Sequence, residues 1–201
     1  MLSGRRLEIL DPSPLDVELD DIAHGIARVA RWNGQTRGAF PFSVAQHCCL
    51  VEAIAAGIDP RLGPAARLTL LLHDAAEYVV GDLVTPLKAA LGEPFKAIEG
   101  RLQEAIFIAF GLPAQPPEDL RHLTKRADRS AAWLEATRLA GFSQDEARQV
   151  FGRPDAFPEE IESYLSPWPP ETAQEKFRAR VKDCLERRAG GDPCQVRGRT
   201  P

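Results

Sequence analysis

The sequence predicts an all-α bundle. Three observations carry that expectation: apolar residues recur at spacings of three and four along most of the chain, segments alternating apolar and polar residues are nearly absent, and Pro or Gly clusters separate one periodic stretch from the next. No internal repeat is visible. At 201 residues the chain can bury most of the surface its unfolded form exposes, so one core is expected.

An extended arm containing Asp11-Pro12-Ser13-Pro14 comes first. From Asp20 to Arg31, Ile22, Ile26 and Val29 share a helical face, with Asp20 and Asp21 available to cap it. Gly34 to Phe42 reads as a loop. Ser43 with Gln46 three positions later is a capping-box signature and starts a helix that runs to Gly57. Asp59-Pro60 and Gly63-Pro64 separate it from a helix over Ala65 to Val79, which Gly81 ends. Asp82 to Leu91 is expected to form a turn and a short helix. Pro94 to Phe110 is amphipathic, with Phe95, Ile98, Leu102, Ala105, Ile106 and Ala109 on its apolar side.

Gly111 stops that helix, and Pro113, Pro116 and Pro117 mark a connector to the next, Glu118 to Leu139. Gln144 to Phe151, Pro158 to Leu165 and Glu171 to Arg188 are helical, and Ser166-Pro167-Trp168-Pro169-Pro170 joins the last two, with Trp168 anchoring a turn. A single domain over residues 1–188 follows, with its core between about 20 and 140 and C-terminal helices over 141–188. Residues 189–201 lack apolar periodicity and read as a mobile tail.

The net charge of −4 gives no basic surface for a nucleic-acid polymer, whose affinity rests on neutralising many phosphates. No stretch approaches the ~20 apolar residues that cross a bilayer, and Met1 to Glu8 lacks the apolar core of a signal peptide. A cytoplasmic location is expected, and the four cysteines, Cys48, Cys49, Cys184 and Cys194, suit it as free thiols.

The chemistry concentrates at His73-Asp74, which closes the apolar run Leu68 to Leu72 and precedes Glu77 by three positions. Imidazole and carboxylate groups are costly to bury without partners. His47 lies 26 residues upstream of His73, and Asp128 lies 54 residues downstream of Asp74. Together, His47, His73, Asp74 and Asp128 form a mixed nitrogen and oxygen set suited to one divalent cation, Mn²⁺, Co²⁺, Ni²⁺, Fe²⁺, Zn²⁺ or Mg²⁺. The set lacks the thiolates of a closed structural zinc site. On a continuous helix Glu77 would lie over both His73 and Asp74, close enough to orient a water or take its proton. The other histidines, His24 and His122, have no such company.

The order His, His-Asp, Asp resembles the HD-domain metal-dependent phosphohydrolases. The longer string from His73 through Glu77, Gly81-Asp82 and Thr85-Pro86 to Lys88 is similar to the branch of bacterial 5'-deoxynucleotidases and phage deoxynucleoside triphosphate hydrolases. The resemblance runs from about Asp21 to about Ala140. It implies an HD-type helical bundle, a small nucleotide substrate and a homodimer, which the apolar surface offered by the C-terminal helices and by Phe95 to Phe110 also favours. The implied reaction is hydrolysis of a phosphate ester, 5'-dephosphorylation of deoxynucleoside monophosphates before triphosphate release. It also implies that Glu77 and Asp82 assist the attacking water and that Arg31-Trp32 contacts phosphate and sugar. Thr85 and Lys88 are further candidates for substrate contact, and Arg37 is a weaker one. A regulatory module that holds a nucleotide without turnover is the expectation of another class.

Overall fold

A computed structural model of the chain describes residues 1–155 and 159–190. Among them the chain is helical without a named strand, and the expected all-α architecture holds. The α-helices are α1 (Leu19–Ile26), α2 (Val44–Ile58), α3 (Pro64–Leu71), α4 (Glu77–Val80), α5 (Thr85–Ala109), α6 (Glu118–Arg138), α7 (Gln144–Phe151) and α8 (Pro170–Ala189). Short 3-10 helices cover Pro14–Asp16, Arg31–Gly34 and Glu159–Leu165. The predicted helix start at Pro158, the tail from Gly191 and Cys194 lie outside the described residues.

α2 is the axis of the bundle because it is apolar on every side, and such a helix is stable only when surrounded. Val44 to Glu52 are buried without interruption. One face, Val44, Ala45, Cys48 and Cys49, packs into a core shared with α1, α3 and α8. The other, Leu50, Val51 and Ile54, packs against Ala127, Ala131 and Leu134 of α6. His47 shares this second face, so α2 aims it at α6.

Ser43 caps α2 as its type predicts, its Oγ accepting from the Gln46 N–H at 3.2 Å. The reciprocal half of the capping box does not form. The Gln46 amide instead donates to the Tyr164 and Ser166 carbonyls and accepts from the Trp168 N–H. Long-range partners outcompete the local one, and they seat Trp168 as a turn anchor. Cys48, Cys49 and Cys184 are free and buried, and burial pushes the Cys48 thiol up to about 11.

Three elements differ from expectation. α1 ends at Ile26 rather than Arg31, because Gly25 packs against Tyr78 and the chain then turns so that Ala30 bridges Ser43. α5 joins the two segments predicted over 82–110 into one kinked element, with Gly92 at φ 69° at the break and Pro94 beyond it. Its apolar residues Leu102, Ala105, Ile106 and Phe107 are consumed by the chain's own core, so this segment leaves less surface for a partner than its composition suggests.

The third difference matters most for the site. The helix predicted over 65–79 is interrupted after Leu71. From Leu72 to Ala76 the backbone tightens, and the N–H groups of His73, Ala75, Glu77, Tyr78 and Val79 each donate three residues back. Gln103 of α5 pins this bend, accepting from the Ala76 N–H at 3.2 Å and donating to the Leu72 carbonyl at 2.8 Å. Backbone groups that the break releases are thus satisfied by one inserted side chain.

Candidate metal centre

The tight bend turns His73 and Asp74 toward α2 and α6. His73 is oriented by its own turn: its Nδ1–H donates to the Leu70 carbonyl at 2.8 Å, leaving Nε2 free. His73 Nε2 lies 3.2 Å from Asp74 Oδ2. From α2, His47 Nε2 approaches Asp74 Oδ2 at 3.4 Å and Asp128 Oδ1 of α6 at 3.2 Å. The two imidazole rings stand 5.3 Å apart. Three separate segments therefore bring His47, His73, Asp74 and Asp128 to one point. Ligand atoms of His47, His73 and Asp128 all lie within 4.8 Å of one another, and among the described residues no other such group of His, Cys, Asp and Glu converges.

Chemistry as well as proximity fits a cation. His47 Nε2 and His73 Nε2 are both buried without a hydrogen-bond partner. Two imidazole nitrogens facing two carboxylates form the donor set of a divalent ion that prefers nitrogen and oxygen ligands. The side chains of His47 and His73 are 0 % and 9 % exposed, whereas those of Asp74 and Asp128 are 26 % and 40 % exposed. The imidazoles close the back of the centre and the carboxylates line its open side. Asp128 faces the histidines rather than a neighbouring arginine, since Arg126 pairs with Asp155.

Glu77, the first residue of α4, is buried beside this group with Oε2 unpartnered, and its Oε1 accepts from Lys88 Nζ at 3.2 Å. Burial, helped by the charges of Asp74 and Asp82, pushes the Glu77 carboxyl up to about 8 against the pull of Lys88 and Arg31. Asp82 follows Gly81 and is also raised by burial, with Arg31 opposing the shift. A cavity of about 250 Å³ opens along this side, lined by His73, Asp74, Glu77, Lys88, Glu99 and Gln103 among others.

Arg31 and Trp32 reach the centre through a residue that the sequence motif did not single out. Glu135, fully buried on α6, accepts from Arg31 Nε at 2.9 Å and from Trp32 Nε1 at 2.8 Å on Oε2, and from His47 Nδ1 at 2.6 Å on Oε1. Burial alone would raise this carboxyl, but Arg31 and His47 hold it down at about 2. Arg31 Nη1 also faces Asp82 at 3.7 Å and Asp74 at 4.0 Å. Trp32 and Asn33 adopt left-handed backbone, φ 57° and 51°, which costs about 1–3 kcal/mol per residue unless surroundings enforce it. Edge-on contacts of Trp32 with Phe142 and Phe151 help to do so.

The remaining candidates lie farther out. Lys88 lines the cavity but is already engaged by Glu77 and Glu99. Thr85 is exposed at the start of α5. Arg37 lines a separate depression formed by residues 34–37 and 139–141. His122 is exposed and pairs with Glu118. Glu135 and Gln103, which contact the site's elements, lie outside the sequence motif. Glu135 stands seven positions after Asp128, hence on the same helix face, and that spacing was a usable signal. Gln103 is thirty residues from His73 and offered none.

No protein-family model matches the chain. It is 53 % identical over 155 residues to an uncharacterized protein of Rhodobacter capsulatus, a match covering 77 % of this chain and 79 % of that protein. The two belong to one family. Identity at that level over so much of both chains extends the helical fold to this family. Among the described residues, no helix is long and apolar enough to cross a membrane.

Proposed function

We propose that the chain is a metal-dependent phosphohydrolase of the HD type that removes the 5'-phosphate from deoxynucleoside monophosphates. The observation that carries this reading is the convergence of His47, His73, Asp74 and Asp128 with both Nε2 atoms buried and unpartnered. These four residues would hold one divalent cation. Such an ion, when bound, polarises a phosphoryl oxygen and makes water acidic enough to attack at neutral pH.

The protein's own groups supply the rest. Hydrolysis forms a bond from water oxygen to phosphorus, breaks the bond from phosphorus to the 5'-oxygen, and moves a proton to that departing oxygen. Glu77, buried beside Asp74 with Oε2 unpartnered, is the group that carries that proton. Asp82, facing Arg31 on the same side, orients the attacking water. Arg31 offers a planar fork to phosphate oxygens, and Trp32 beside it is the wall against which the deoxyribose is read. The polar cavity of about 250 Å³ beside His73 and Asp74 has room for a small molecule, and the net charge of −4 speaks against a nucleic-acid polymer.

A screen of Mn²⁺-loaded enzyme against ribo- and deoxyribonucleoside mono- and triphosphates tests this, with released phosphate and triphosphate measured separately. Phosphate from deoxynucleoside monophosphates is the expected product. Triphosphate release would move the assignment to a triphosphohydrolase, equal turnover of ribonucleotides would remove the role given to Trp32, and nucleotide binding without turnover would make the chain a regulatory module.

A further inference from the structure

Glu135 is placed where it can do more than neutralise Arg31. A fully buried carboxylate beside an arginine is a satisfied pair in itself, since breaking such a pair is what costs several kcal/mol. Here the pair is loaded further: Oε2 accepts from both Arg31 and Trp32, and Oε1 is aimed at His47 Nδ1. With both oxygens occupied, the carboxylate cannot turn about its terminal bond. A neutral imidazole carries one N–H, and the position of that proton decides which nitrogen can bind a cation.

We propose that Glu135 is a positioning residue that fixes His47 as an Nε2 ligand, and that Arg31 and Trp32 belong to the metal centre by locking Glu135. This rests on the metal-binding reading of the site. The Nδ1–H of His47 donates to Oε1, which leaves the Nε2 lone pair directed at the point where Asp74, Asp128 and His73 meet. His73 obtains the same tautomer more simply, from the Leu70 carbonyl one turn back. The two histidines are thus oriented by independent devices, one local and one spanning 88 positions of sequence. An ionised carboxylate is the stronger acceptor, so it also increases the electron density His47 offers. An amide in its place can present its NH₂ to Nδ1, stabilise the opposite tautomer and put a proton on Nε2.

The test is Mn²⁺ affinity by calorimetry on the full chain. Glu135→Gln is expected to weaken Mn²⁺ binding about 10- to 100-fold with helical content retained. Glu52→Gln is the control. Glu52 is equally buried on α2, bound by Arg67 Nε at 2.5 Å and Arg180 Nη1 at 2.6 Å, and touches none of the four ligands. It should lower the melting temperature and leave Mn²⁺ affinity unchanged. Equal affinity in Glu135→Gln and wild type overturns the proposal and leaves the metal centre standing, whereas no Mn²⁺ binding by the wild-type chain overturns both. A second measurement needs no variant. In the Zn²⁺-loaded wild type, nitrogen NMR should show His47 protonated at Nδ1 and metallated at Nε2. Metallation at Nδ1 overturns the proposal even if Glu135→Gln fails to fold.

Discussion

Gln103 reaches from α5 to the bend at Leu72 and bridges it, taking the Leu72 carbonyl with its amide N–H and the Ala76 N–H with its oxygen. Everything presented by residues 73 and 74 depends on that bend. Replacing Gln103 by Leu keeps the volume and removes both hydrogen bonds. The Leu72 carbonyl still accepts from the Ala75 N–H, but the Ala76 N–H is left unpaired, which costs about 1–3 kcal/mol. The melting temperature is therefore expected to fall by about 2–12 °C, with weaker Mn²⁺ binding. Unchanged binding and stability would show that the bend holds itself.

The four converging side chains make a direct prediction about metal. His73→Ala and Asp128→Ala should each abolish stoichiometric Mn²⁺ binding while circular dichroism reports nearly native helix, because neither side chain belongs to the apolar core. Full phosphohydrolase activity in His73→Ala, or after exhaustive chelation, would reject the assignment.

Glu77 gives the cation-free protein a characteristic response to pH. Its folded carboxyl keeps a proton up to about 8, against an ordinary 4.5. The folded state therefore binds more protons than the unfolded chain between those values, and stability falls as pH rises through that window. His47 and His73 act with the same sign: burial opposes their charge, and Arg31 opposes that of His47, but Glu135, Asp128 and Asp74 raise His47 on balance and Asp74 with Cys48 raises His73. Denaturant titrations in chelator should show the decline, and Glu77→Gln should make it shallower. A slope identical to wild type would remove the perturbed carboxyl.

Assembly is the fourth expectation. Val84, Leu87 and Leu91 at the start of α5 are 40 %, 45 % and 46 % exposed, an apolar row that a two-fold homodimer would cover. Light scattering should give a dimeric mass at micromolar concentration, and Leu87→Glu with Leu91→Glu should give a monomer. A monomeric wild type would reject the dimer.

The helical architecture was legible because apolar periodicity and breakers agree along most of the chain, and α7 matches its expected bounds. That His47, His73, Asp74 and Asp128 come together was legible from their order. The bend between α3 and α4 was not: Leu68 to Ala76 contains no Gly or Pro, and the break is enforced by Gln103 from another helix. Burial of the apolar face of α5 was likewise decided by tertiary packing, which periodicity alone does not assign to a partner or to the chain itself. Glu135 lay within reach of a simple spacing argument, yet a lone glutamate on a polar helix is ordinarily solvated, and only Arg31, Trp32 and His47 give it a purpose.

The uneven sealing of the centre bears on traffic. With the imidazoles closed off and Asp128 the most open of the four converging side chains, an ion arriving from solvent would meet oxygen before nitrogen. Carboxylate oxygen accepts many divalent ions, whereas imidazole nitrogen favours Zn, Cu, Fe and Ni, so the two nitrogens would do most of the sorting between metals. Loading would then be governed by which ions are supplied, and the choice among them by the histidines.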